Sequence, residues 1–256
     1  MKALRFIVIT AGLILIWQVI VWLTAVPPYI LPGPMAAAAA WVSNAESLVF
    51  HASVTALEIV LGLIAGTVLG ASSAIAIILF RPARQWLLPV LVTSQAIPVF
   101  AIAPILVLWL GFGIPSKVAM ATLIIYFPVA ASFLDGLRRT EPGWLDLALT
   151  MTGKPRRFRT LIHIRIPAAL PSLASGIRVA AAVAPIGAVV GEWVGAGAGL
   201  GYLMLHASGR VQIDLMFAAL ASLTFVALIF YFAVDWGLRR ALPWQPDQFI
   251  SNNSED

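Results

Sequence analysis

The stretch 146-DLALTMTGKPRRFRTLIHIRIPAALP-171 decides how the whole chain is read. It carries Lys154, Arg156, Arg157, Arg159 and Arg165, whereas the sequence on either side is apolar enough to live in lipid. Cations at this density must face water or a protein surface, because a charge at the bilayer centre is costly. Helical periodicity runs through both halves. Leu145, Ala148 and Leu149 share one face of the first half. Phe158, Leu161 and Ile162 follow at i, i+3, i+4 in the second, opposite Arg156, Arg159 and His163. Gly153 marks a break between them. Pro167 and Pro171 are expected to bound the second helix, since proline lacks the N–H that a helix interior uses. The expectation is a water-exposed amphipathic helical hairpin whose apolar stripe meets a cytoplasmic partner.

Working outward, composition sets the class. Of 256 residues, 61% are hydrophobic and 11% charged, which argues against a soluble globule. Several apolar runs exceed the roughly 20 residues that cross a bilayer core of about 30 Å. There is no cysteine, so neither a disulfide nor a thiolate metal site can form, and the three histidines are scattered. The net charge of +5 comes from basic residues at the ends of apolar runs, a topology signal rather than a nucleic-acid footprint.

Lys2 and Arg5 precede a first apolar run, Phe6 to Val26, too long for the core of a signal peptide and read as a retained span. The prolines from Pro27 to Pro34 end it, and 35–50, without Lys or Arg, suits the outer face. The second span, 51–80, repeats Gly62, Gly66, Gly70 and Ala74 every fourth residue, a flat ridge onto which another helix packs closely. The third, 87–110, is interrupted by Pro89, Pro98 and Pro104. Freed carbonyls at such breaks are tolerated where protein or a watery cavity satisfies them. Ser94, Gln95 and Pro98 are therefore either path-lining or part of a kinked packing helix. Lys117 opens the fourth span, 118–137, where Asp135 is set to pair with Arg138 or Arg139. The fifth, 168–194, contains Arg178, positioned to snorkel toward the cytoplasmic headgroups, and Glu192 near its far end. Gly195, Gly197, Gly199 and Gly201 then read as a flexible outer turn or re-entrant segment, because no G-x-G-x-x-G is formed. The sixth span is 215–238, with Asp235 and Arg239 paired at i, i+4, before a polar tail.

The expectation is an all-α integral membrane protein of six spans with both ends in the cytoplasm. Thirteen of the sixteen Lys and Arg residues fall on that side; Lys117 and Arg210 lie outside and Arg178 within a span. A single transmembrane domain, 1–256, has its core at 51–240, its cytoplasmic loop at 138–168 and a loose tail at 247–256. No catalytic constellation is present. Gly153-Lys154 lacks the remaining P-loop residues, with Ala148 and Pro155 in their places. Two classes remain: a permease driven by a separate ATPase, or a self-contained secondary transporter or channel. The latter usually carries intramembrane acids. Here only Glu58 and Glu192 qualify, and a position near the outer headgroups also accounts for them.

The opening stretch resembles the EAA loop of bacterial ABC-importer permeases. Asp146 stands near the Glu, Ala148 at an Ala, Gly153 at the Gly, and Ile164-Arg165-Ile166-Pro167 at Ile-x-Leu-Pro. Leu147 replaces the first Ala, and one extra residue lies on each side of Gly153. The likeness spans nearly the whole chain, through Ile30–Pro34, Ser94–Pro98, Trp109–Gly113, Pro115–Lys117 and Gly191–Gly195, and is to permeases for taurine, alkanesulfonates, nitrate and thiamine precursors. Ser94–Pro98, Gly199–Tyr202, Met216–Ala219 and Pro243–Pro246 look most like the hydroxymethylpyrimidine or formylaminopyrimidine branch.

The resemblance implies the type I importer fold in the bacterial inner membrane. It also implies a second permease copy, two cytoplasmic ATPase subunits holding ATP and Mg, and an extracytoplasmic substrate-binding protein. The loop becomes a coupling helix docking on the ATPase, with Asp146, Ala148, Gly153, Arg157, Phe158, Leu161 and Pro167 as its residues. Ser94, Gln95, Pro98, Glu192 and Trp193 become candidates for the substrate path.

Overall fold

The computed structural model describes residues 2–152 and 157–244. It is helical throughout: α1 (Lys2–Thr24), α2 (Pro34–Ser43), α3 (Ala45–Leu79), α4 (Arg81–Ala96), α5 (Val99–Leu110), α6 (Ile114–Arg138), α7 (Pro142–Thr152), α8 (Arg157–Thr160), α9 (Ile166–Gly195), α10 (Leu200–Gly209) and α11 (Ile213–Ala241). Proline stands in the first turn of α2, α4 and α6, where its missing N–H has no intrahelical partner to lose.

The middle of the fold is α6, gripped on two sides. Along α3, Gly62 lies on Ala121, Gly66 on Ile125, and Gly70 on Val129 and Ala130. A Cβ at Gly62 or Gly66 would collide with α6, so the close approach requires glycine. From the other side, Gly176 of α9 meets the Pro128 carbonyl and Ser132, and Gly187 meets Ala121. Ala121 is thus pressed between two glycines. The glycine ridge of α3 is used inside the subunit and is not available for contact with a second copy. Around this centre, Ile59, Ile125, Val129, Ala180, Ala184 and Ala188 form one apolar cluster. Ala188 is fully buried there, so it does not face an open path.

Among the described residues four helices are long and apolar enough to cross a membrane: α3, α6, α11 and the continuous run Arg157–Gly195. The pair α4 and α5 passes the test together as a fifth, although the two meet at 108°. The apolar part of α1, Val8–Thr24, is shorter, about 25 Å at 1.5 Å per residue. Of the three prolines in 87–110, only Pro98 lies at the break; Pro89 and Pro104 are inside helices.

Two further expectations change. Pro167 and Pro171 do not bound a separate helix. The chain passes from α8 through a π-helical turn, Leu161–Arg165, into α9, with the Ile166 N–H donating to the Leu161 carbonyl five residues back. That wider turn carries the chain into Pro167 at the first turn of α9 without a break, and Pro171 lies inside the helix. The second change concerns ion pairs. Arg178 has a protein partner: its Nε lies 2.7 Å from Asp235 Oδ1, and Arg239 Nε lies 2.9 Å from Oδ2 of the same carboxylate. Asp135 is exposed and makes no ion pair within 4 Å among the described residues.

Candidate functional site

Three places hold the residues singled out by sequence. The first is the end of the bundle at α7 and α8. A groove of about 500 Å³ runs between α7 and the start of α9, lined by Trp144, Leu147, Met151, Pro167, Pro171 and Trp244. Phe158 is 63% exposed and Met151 79%, next to the exposed Arg157 and Arg159. Asp146 is exposed and Ala148 lines the groove. Leu161, expected on the same open stripe, is 2% exposed and packs with Ile77, Phe133, Leu137 and Ala169. It anchors the stripe to the bundle rather than offering itself to a partner. Gly153, Lys154, Pro155 and Arg156 lie outside the described residues, so the expected break at Gly153 does too.

The second place is the α4–α5 bend. Pro98 caps α5 in an extended conformation. Ser94 Oγ donates to the Leu91 carbonyl at 2.7 Å, the usual way a hydroxyl is satisfied inside an apolar helix. Ser94 lines a cavity of about 320 Å³ with Pro89, Ile97 and Leu123, and Gln95 is exposed nearby. Trp193, half exposed, lies on a separate apolar cleft of about 580 Å³ between α9 and α11, shared with Pro185, Met204 and Tyr231. The structure therefore does not bring Ser94 and Trp193 to one cavity within a subunit.

The third place was not foreseen. At the end opposite α7, Glu58 of α3, Lys117 of α6 and Glu192 of α9 meet in the interior, 0%, 5% and 1% exposed. Lys117 Nζ lies 2.9 Å from Glu58 Oε1. Glu192 accepts from Thr55 Oγ1 at 2.6 Å through one oxygen and from the Gly201 N–H through the other. The Thr55 hydroxyl in turn accepts from the Leu200 N–H at 2.8 Å, and His51 Nδ1 accepts from the Gly199 N–H at 3.0 Å.

Both acids are buried in protein, and Glu192 faces protein rather than an open path. The 196–199 turn also departs from the flexible segment expected. Gly199, with φ +121°, and Gly201 are glycines because the Glu192 carboxylate occupies the space a Cβ would take. The available signal was the pair of acids inside apolar spans. The partner, Lys117, is 59 residues from Glu58 along the chain and reads in sequence only as the outer-face start of the fourth span. Among the described residues no group of three or more His, Asp or Glu could hold a metal.

A tightly packed helical bundle with several spans apolar enough to cross a membrane fits a membrane permease. The pattern of the family described as binding-protein-dependent transport system inner membrane component matches residues 58–243, and the chain belongs to that family. It is thus a multi-pass ABC transporter permease, and its relatives are permeases rather than enzymes.

The chain is 53% identical over 239 residues to a probable ABC transporter permease protein of Haemophilus influenzae, covering 93% of this chain and 97% of that one. It is 34% identical to a formylaminopyrimidine transport permease of Halalkalibacterium halodurans, over 92% and 94% of the two chains. A riboflavin transport system permease of Chloroflexus aurantiacus is 35% identical, over 91% and 87%.

Proposed function

We propose that this chain forms the inner-membrane path of an ATP-driven importer for a thiamine pyrimidine precursor, hydroxymethylpyrimidine or formylaminopyrimidine. It works as a homodimer of six-span subunits with cytoplasmic termini, two ATPase subunits that bind ATP and Mg, and an extracytoplasmic binding protein. The observation that carries the substrate is the near full-length similarity to a formylaminopyrimidine permease. A small uncharged heterocycle needs a few hydrogen-bonding and stacking groups in a mainly apolar path. Ser94 and Gln95 supply the first and Trp193 the second, from cavities that a second copy would have to bring together. Docking of the ATPase on α7 and α8 is supported by the exposed Phe158 and Met151 beside Arg157 and Arg159.

The riboflavin permease, similar over almost the same length, favours a second reading: another flat nitrogen heteroaromatic. One experiment separates them. A strain unable to make the thiamine pyrimidine is grown on limiting precursor, with and without this permease and its partners. Growth restored by hydroxymethylpyrimidine or formylaminopyrimidine is the expected result. Failure there, with restored growth of a riboflavin auxotroph on limiting riboflavin, selects the second reading. Restored use of taurine, alkanesulfonate or nitrate would move the chain to that branch.

A further inference from the structure

We propose that Glu192, Thr55 and His51, braced by the Glu58–Lys117 pair, form a releasable latch that clamps α10 and the turn before it onto α3 and α9, and that the latch opens during transport.

Consider first what the cluster holds. The opening N–H groups of α10 have no intrahelical partner, and Gly199 supplies no side-chain cap. Their acceptors come from elsewhere: His51 takes Gly199, Thr55 takes Leu200, and Glu192 takes Gly201. A carboxylate at a helix N-terminus is favourable both by hydrogen bonding and by the helix dipole. Three side chains on two helices thus fix the start of a third helix. The groups facing Glu192 are Thr55 and Glu58 from α3, Lys117 from α6, and the Leu200 and Gly201 backbone from α10. On the neighbouring side, His51 also meets Tyr202 of α10, whose ring lies tilted against His206.

Now compare the cost of parting this contact with the cost of parting the others. The α3–α6 and α6–α9 faces are joined through glycine and alanine with interlocked apolar side chains. Separation there strands surfaces that gain nothing from a polar medium. At the latch Leu200, buried in one apolar cluster with Leu48, is stranded too, but the other groups the latch releases are a carboxylate, an imidazole, an ammonium, a hydroxyl and helix N-terminal N–H groups. Water re-solvates all of these polar groups. A buried ion cluster contributes little net stability against its desolvation, and a registry or switch role is the best-attested reason for one. The junction is therefore a contact whose parting is offset in good part by water, unlike the α3–α6 and α6–α9 faces. That this end faces the binding protein rests on the topology proposed above.

The chain lacks cysteine, so a single introduced thiol reports without background. Ser116, 1% exposed and next to Lys117, is the reporter position as Ser116→Cys. Met151→Cys, on exposed α7, is the control. The full-length permease in liposomes is treated with a water-soluble maleimide. Thr55→Val, which keeps shape but loses the hydroxyl, and Glu192→Gln should each speed Ser116→Cys labelling about tenfold, the size of shift expected from loss of one charged buried hydrogen bond. Thr55→Ser should keep the parent's slow rate, and the Met151→Cys rate should not change. Where Glu192→Gln does not fold, the Thr55→Val and Thr55→Ser pair decides.

Equal Ser116→Cys rates in all backgrounds would overturn the latch and leave static packing. In the assembly with ATPase and binding protein, ATP should raise the parent's Ser116→Cys rate. Hydrolysis without any change in that rate would overturn release during transport. An assembly that never hydrolyses ATP would strike at the importer reading instead, since the comparison in the permease alone needs no partner.

Discussion

The two ends of the bundle solve opposite problems. Where α6 begins, the charged side chains of Glu58, Lys117 and Glu192 turn inward, Lys117 pairing with Glu58 and Glu192 holding Thr55 and the α10 backbone. Where α6 ends, apolar side chains turn outward: Trp144, Leu147, Met151 and Phe158 stand open beside arginines. The first end pairs its buried charges within the chain. The second has the composition of an interface, aromatic, Met and Arg together. The difference lies in which groups are left to be satisfied, and substitutions measure it.

The largest stability loss is expected midway between the ends. Ala121→Leu wedges the Gly62 and Gly187 contacts at once, so the loss should exceed about 3 kcal/mol, the upper range for one overpacked contact. The yield of monodisperse protein in detergent and its thermal unfolding are the measurements. A well-folded variant would mean that α6 is less tightly gripped than the glycine contacts require. Next comes Leu161→Ala, which empties a buried site under the open end and should cost about 2–4 kcal/mol. A change below about 0.5 kcal/mol, typical of surface positions, would return Leu161 to the docking face.

Smallest in stability is Phe158→Asp, expected within about 0.5 kcal/mol because the ring is already exposed. Its functional effect should nonetheless be severe, with transport and co-purification of the ATPase both lost. Full transport with a normally retained ATPase would remove the interface reading of this end.

Much of this was legible in the sequence for identifiable reasons. The four-residue spacing of Gly62, Gly66 and Gly70 is a property of one helix, so it can be read from one segment, and the structure sets that ridge against α6. What was not legible spans helices. Nothing near Lys117 announces Glu58, and nothing near Gly199 announces Glu192, because burial turns these groups toward each other only after three helices assemble. Leu161 shows a subtler limit. A period of 3.6 groups Phe158 with Leu161 and Ile162, but it does not say which neighbours lie on each side of that face. The π-helical turn that starts at Leu161 adds a residue to one turn, and a face projected through it rotates by about 100°.

That turn has a mechanical consequence. Because the chain does not stop at Pro167, Arg157–Gly195 is a single run of 39 residues, about 58 Å from tip to tip. Phe158 rides near one tip and Trp193 near the other, with no loop between them to absorb slack. Force applied at the basic tip travels as thrust and torque along a strut whose softest joints are the π turn and the backbone beside Pro171 and Pro185. A stiffer π turn would deliver more of each stroke to the far tip, and a looser one would dissipate it.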